Sequence, residues 1–105
     1  MTFDEYAAAA SRTTNPALDD ERRMLDAAAG LAEEAGEVLG LMRKHLYQGR
    51  ALDRARVAEE LGDALWCLAT VAAAVGVPLE EVARGNVEKL GRRHPEGFDA
   101  GHDGT

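Results

Sequence analysis

The sequence predicts an all-α fold: an antiparallel helical bundle with two long central helices and shorter N- and C-terminal helices, completed by oligomerisation. Three observations predict it. Apolar residues recur at helical spacing through four segments, and no stretch shows the period-two alternation of a half-buried strand. Composition leans on Ala, Leu, Glu and Arg, all good helix formers, with aromatics at only 5%. The 105 residues suffice for one domain, 1–105. A chain of that size buries only about two-thirds of its unfolded surface or less, so further apolar area is expected to be hidden by a second copy.

Each element has its own signals. Thr2 is a candidate N-cap, with Glu5 three residues on completing a capping box. A helix from about Phe3 to Arg12 follows, with Phe3, Tyr6, Ala7 and Ala10 on one face. "TTNP" at 13–16 breaks it, because Pro16 pushes Asn15 out of the helical region. The second helix is expected over Leu18–Leu46. Asp19, Asp20 and Glu21 open it, and Arg43 and Lys44 lie near its end, each complementing the macrodipole. "YQGRAL" at 47–52 reads as a turn, and Asp53 as the cap of a third helix running to about Val75. Gly76 is the expected C-terminal cap. Pro78 suits the first turn of a fourth helix that ends near Arg93. The remaining "HPEGFDAGHDGT" is expected to be irregular, with 99–105 a disordered tail. Short connections make successive helices antiparallel neighbours.

A net charge of −7 and a pI of about 4.9 disfavour nucleic acid as a partner, since backbone binding needs a basic surface. An acidic chain still takes a phosphate ligand when a divalent cation lies between them. The single cysteine, Cys67, allows no intrachain disulfide. "MTFDEYAAAASRTTNP" does not read as a signal peptide, and no apolar run approaches the roughly 18–20 residues of a membrane span. A cytoplasmic protein without a membrane partner is the expectation.

Two pentapeptides carry the chemistry: "EEAGE" at 33–37 and "EELGD" at 59–63. A helix turns about 100° per residue, which places Glu37 about 60° from Glu34, with Ala27, Leu31, Val38 and Leu41 also within about 60°. In the third helix Asp63 lies about 60° from Glu60, on the face of Val57, Ala64, Cys67 and Val71. Glu33 and Glu59 fall on the flanks. Antiparallel packing then converges Glu34, Glu37, Glu60 and Asp63 from two apolar faces. At an effective dielectric of about 20, each close pair of such anions repels by several kcal/mol. Some carboxylates must protonate, or a cation must compensate them; all-oxygen anionic ligands suit Mg²⁺ or Mn²⁺. Gly36 and Gly62 weaken their helices by about 1 kcal/mol each relative to Ala. They read either as points of close approach or as tolerated, like Gly30 and Gly40 in the same second helix. "LEEVAR" at 79–84 opens a helix and carries Arg84 in place of a third acid, so its acids read as structural.

The paired motif resembles the EExxE…ExxD signature of the MazG-like nucleoside triphosphate pyrophosphohydrolases, the all-α NTP pyrophosphatases. "AAAGLAEEAGEVLG" and "ELGDALWCLATVAAAVGVPLEEVARGNVEKLGRRHPEGF" extend the likeness over about residues 24–98, including an N-x-x-K-x-x-R-R segment and a Pro-x-Gly-Phe. The resemblance implies that Glu34, Glu37, Glu60 and Asp63 bind Mg²⁺, and that Asn86, Lys89, Arg92 and Arg93 contact phosphates. It implies hydrolysis of a nucleoside triphosphate to the monophosphate and pyrophosphate, a nucleotide-pool house-cleaning role, and a homodimer or homotetramer. The chemistry is consistent: Mg²⁺ acts as Lewis acid and water activator, Glu34 and Glu37 are the candidate catalytic acids, and Glu37 is the candidate proton acceptor. The cations of the fourth helix also suit a helix C-terminus for dipole reasons alone.

Trp66 lies about 120° from the acid face, which favours core or interface packing over stacking on a base. Cys67 reads as a small core residue, and His45, His94 and His102 as loop or terminal residues. Three other readings stand beside the enzyme. A di-iron bundle needs Glu-x-x-His, which neither motif supplies. A non-enzymatic acidic interaction module predicts no response to Mg²⁺. A nucleotide-binding regulator predicts binding without efficient turnover.

Overall fold

The computed structural model describes residues 1–101. It contains four helices, α1 (Phe3–Ser11), α2 (Asp20–Gln48), α3 (Arg54–Ala74) and α4 (Leu79–Arg93), and no strand among the described residues. Past α4 the chain is irregular, with an isolated bridge between Pro95 and Gly97. Residues 102–105 of the expected tail, with His102, lie outside the described residues.

The caps explain the boundaries. Thr2 Oγ1 accepts the Glu5 N–H at 3.0 Å while the Glu5 carboxylate accepts the Thr2 N–H at 2.8 Å, closing the expected box. α2 begins two residues later than Leu18 because Asp19 is its cap, accepting the Arg22 N–H at 2.8 Å. It runs two residues past Leu46 and stops where Gly49 turns left-handed, at φ 67°. Asp53 caps α3 through the Arg56 N–H at 3.0 Å. Gly76, at φ 74°, follows the last cap residue of α3, Val75. Pro78 stands one residue outside α4, as its N-cap.

α2 and α3 form the principal pair. Along α2 from Gly30 to Glu37, the neighbours on α3 run back from Cys67 through Asp63 and Glu60 to Arg56. Close approach occurs at Gly30, where an added Cβ would lie 3.0 Å from Cys67 Sγ. Gly36 and Gly62 are not such points within the chain: nothing lies within 4 Å of a Cβ at either, because both turn away from the α2–α3 seam.

α1 lies across α3 and α4, with Tyr6 and Ala7 against a small core of Ala69, Ala72 and Leu79. Reciprocal bonds fix it: Glu80 accepts the Phe3 N–H at 2.8 Å, and Asp4 accepts the Glu80 N–H at 3.2 Å. Glu81 pairs with Arg84, so both acids of "LEEVAR" have structural partners. The Arg23 guanidinium donates to the carbonyls of Asn15 and Leu18 and ties down the α1–α2 link. α4 departs from α3 with a bend of 102° and contacts α1 and α3 but not α2. No single described helix is long and apolar enough to cross a membrane.

Candidate metal centre

Glu34 on α2 meets Glu60 and Asp63 on α3, one carboxylate oxygen from each lying within 4.8 Å of the others. Helical periodicity turns Glu60 and Asp63 toward one side of α3, and the seam anchored at Gly30 and Cys67 carries Glu34 to them. Exposure is graded: Glu60 is buried, Glu34 half-buried and Asp63 open to solvent. Glu34 Oε2 is buried without a hydrogen-bond partner.

The electrostatics follow from crowding. Glu34 is pushed up to about 7, first by its hydrogen bond with Glu60, then by burial and by the charges of Glu60, Asp63 and Glu37. Glu60 is held below the usual carboxylate range by accepting from Glu34 and from Arg56. A single proton on Glu34, donated to Glu60, is therefore the metal-free compromise. Arg56 Nε donates to Glu60 at 2.9 Å, and its other end lies 3.9 Å from Glu37 Oε2.

Glu37 stands apart from the three-carboxylate group. It lines an adjoining open concavity with Glu33, Gly36, Gly40, Lys44 and Arg56. Glu33 and Glu59 are exposed flank residues. Arg56 was not singled out in the sequence, and Lys44 only as a cation suited to the end of α2, although Arg56, four residues before Glu60, had the spacing of a helical ion pair. Tyr6 was missed as well: burial raises its phenol, as do, to a lesser degree, the charges of Asp63 and Cys67. Only the α1–α3 packing reveals that approach.

The fourth helix is not brought to these acids within one chain. Asn86, Lys89 and Arg92 are exposed and Arg93 is half-buried, on a helix that does not touch α2. His94 faces Phe98, their ring centres 6.3 Å apart, and His45 Nδ1 lies 2.7 Å from the Arg50 carbonyl oxygen. Trp66 donates its indole N–H to Thr13 at 2.7 Å from a half-buried position. Cys67 is buried, and apolar surroundings, followed by the nearby carboxylates, raise its thiol.

The donor set fits a hard divalent cation. It offers only carboxylate oxygens, one of them buried with no partner. Among known proteins, a family model described as the MazG nucleotide pyrophosphohydrolase domain matches residues 23–98. No curated protein and no solved structure matches the chain.

Proposed function

The chain belongs to the MazG nucleotide pyrophosphohydrolase family, and on that premise we propose that it is a Mg²⁺-dependent enzyme cutting a (deoxy)nucleoside triphosphate between its α- and β-phosphates. Its general function is nucleotide pyrophosphohydrolysis. The observation that carries the finer reading is the buried, unpartnered Glu34 Oε2 inside the group formed with Glu60 and Asp63.

Glu34, Glu60 and Asp63 would hold the cation, on α2 and α3 packed antiparallel. When bound, the cation supplies Lewis-acid charge compensation for the polyphosphate. Arg56 keeps Glu60 ionised, so that this ligand needs no proton removed before it binds. Glu37, at the edge of the concavity, accepts the proton of the attacking water. Water adds to the α-phosphorus, the α–β anhydride bond breaks, and pyrophosphate leaves with the bridging oxygen. Asn86, Lys89, Arg92 and Arg93 bind phosphate oxygens, Arg in bidentate fashion. The gap between α4 and α2 within one chain accords with a homodimer or homotetramer in which another copy offers these groups.

The test is incubation with a panel of nucleoside triphosphates, with and without Mg²⁺. Pyrophosphate rather than phosphate should appear, only with the metal. Glu37→Gln and Asp63→Asn should abolish release while leaving the helical circular-dichroism signal intact. Undiminished turnover in both variants would sink the site assignment.

A further inference from the structure

Beside the three-carboxylate group lies an open concavity of about 350 Å³, and it shares Glu37 and Arg56 with the surroundings of that group. It has room for about ten water molecules at roughly 30 Å³ each. One strip of α2 makes its floor: Glu33, Gly36, Glu37, Gly40 and Lys44 fall within about 100° around the helix. Nothing lies within 4 Å of where a Cβ would stand on Gly36 or Gly40, so the two glycines leave a hollow between Glu37 and Lys44. Lys44 stands two turns, about 10 Å, past Glu37 along the axis. Helical side chains lean toward the N-terminus, which sends its stem back over Gly40. Arg56 lines the concavity from α3.

The lining is chemically selective. Its side chains are charged except for Leu41, and it has no aromatic ring on which a nucleobase would stack. Two of the charges are cations with donors in reserve. Arg56 uses Nε on Glu60 and lies 3.9 Å from Glu37, too far for a hydrogen bond, so its terminal nitrogens keep protons for a further acceptor. Lys44 is exposed and forms no ion pair among the described residues. An arginine fork and a lysine point charge together suit phosphate oxygens. Within one chain it is these two cations, and not those of α4, that adjoin the acids, since α4 does not touch α2.

Building on the proposed function, we propose that this concavity seats the β- and γ-phosphates of the substrate, with Lys44 and Arg56 donating to their outer oxygens. Charge calls for such a seat. A cation held by Glu34, Glu60 and Asp63 would compensate only the phosphates nearest it. The terminal phosphate carries the most charge, about −1.5 to −2 at pH 7 like any phosphomonoester. Against Glu33 and Glu37 alone it would be repelled by several kcal/mol per close contact at an effective dielectric of about 20. Lys44 and Arg56 balance those two acids, so the concavity is neutral as a whole and offers its donors at a fixed place. The same cations stabilise the charge that develops on pyrophosphate as the α–β bond breaks. A nucleoside monophosphate lacks both groups and makes no use of the concavity.

Calorimetric titration of the full chain with inorganic pyrophosphate and Mg²⁺ tests the seat without turnover. The wild type should bind it. Lys44→Ala, an exposed change away from the three-carboxylate group, should weaken binding about tenfold, as for one charge-assisted hydrogen bond. Lys44→Arg should restore most of that affinity. Gly40→Leu should also weaken binding, by filling the hollow, with the helical circular-dichroism signal retained. Titration with a nucleoside monophosphate and Mg²⁺ should give the same affinity in every variant. Failure of pyrophosphate to bind the wild type, an unweakened Lys44→Ala, or equal losses for pyrophosphate and monophosphate would each overturn the seat. Lys44-dependent pyrophosphate binding in a chain that turns over no nucleoside triphosphate would uphold the seat and strike the proposed function alone. Turnover with pyrophosphate binding indifferent to Lys44 would strike the seat alone.

Discussion

α2–α3 and α4 carry the two groups of residues on which the proposed function rests, and they sit in the chain in opposite ways. The α2–α3 pair is zipped by Gly30 against Cys67 and brings Glu34, Glu60 and Asp63 to within 4.8 Å of one another. α4 leaves the pair through a 102° bend and holds Asn86, Lys89 and Arg92 in solvent. The contrast shows what each half needs. Anions that bind a cation must be held together against their own repulsion, which takes a packed seam. On the proposed function, cations that bind a mobile polyphosphate need only stand where the ligand would pass, and a helix anchored at its N-terminal end by Leu79 and Glu80 would be enough for that.

The largest expected effect breaks the packed half. Glu60→Gln should lower kcat/KM by more than about 100-fold, the upper end of what loss of a residue behind a metal ligand costs. Lys89→Ala or Arg92→Ala on the standing-off half should cost less, about tenfold to a hundredfold, as for one charge-assisted hydrogen bond, with KM carrying much of it. Equal losses in the two sets, measured by steady-state kinetics of pyrophosphate release, would erase the distinction drawn between the helices.

A smaller effect reads the packed half through its proton. Glu34 faces Glu60, Asp63 and Glu37, with Arg56 on Glu60, and its value of about 7 lies above its ordinary 4.5. A raised folded value means the folded state holds the proton more tightly. The stability this contributes is complete below about 4.5 and is lost as pH rises through about 7. Glu60, shifted downward, contributes throughout that window and loses its share only in more acid solution. Protein in chelator should therefore melt at a lower temperature at about pH 8 than at about pH 5.5, and Mg²⁺ should raise Tm more at the higher pH, since proton and cation compete for one site. A chelated Tm that rises over this range would contradict the shared-proton picture.

The smallest effect concerns the seam itself. Gly62→Ala, with open space around the new Cβ, should stabilise by about 0.5–1 kcal/mol through helix propensity. Gly30→Ala should forfeit that gain, because its Cβ would meet the buried Cys67 sulfur at 3.0 Å. Urea melts of the two variants compare them directly.

Much of this was legible in the sequence. Capping boxes, glycine stops and the 3.6-residue period act over a few residues, so Thr2, Asp53 and Gly76 mark their helix ends without knowledge of the fold. The same local geometry turns Glu34, Glu60 and Asp63 toward the side where α2 meets α3 and leaves Glu33 and Glu59 on the flanks. The tertiary structure alone decided what depends on where one helix lies against another. It drew Glu37 out of the group toward Arg56, moved the close approach from Gly36 to Gly30, and carried α4 away from α2. Periodicity gives a direction around one helix axis. The offset and rotation between two axes come from side-chain packing across the seam, and only that packing determines which inward-turned groups meet.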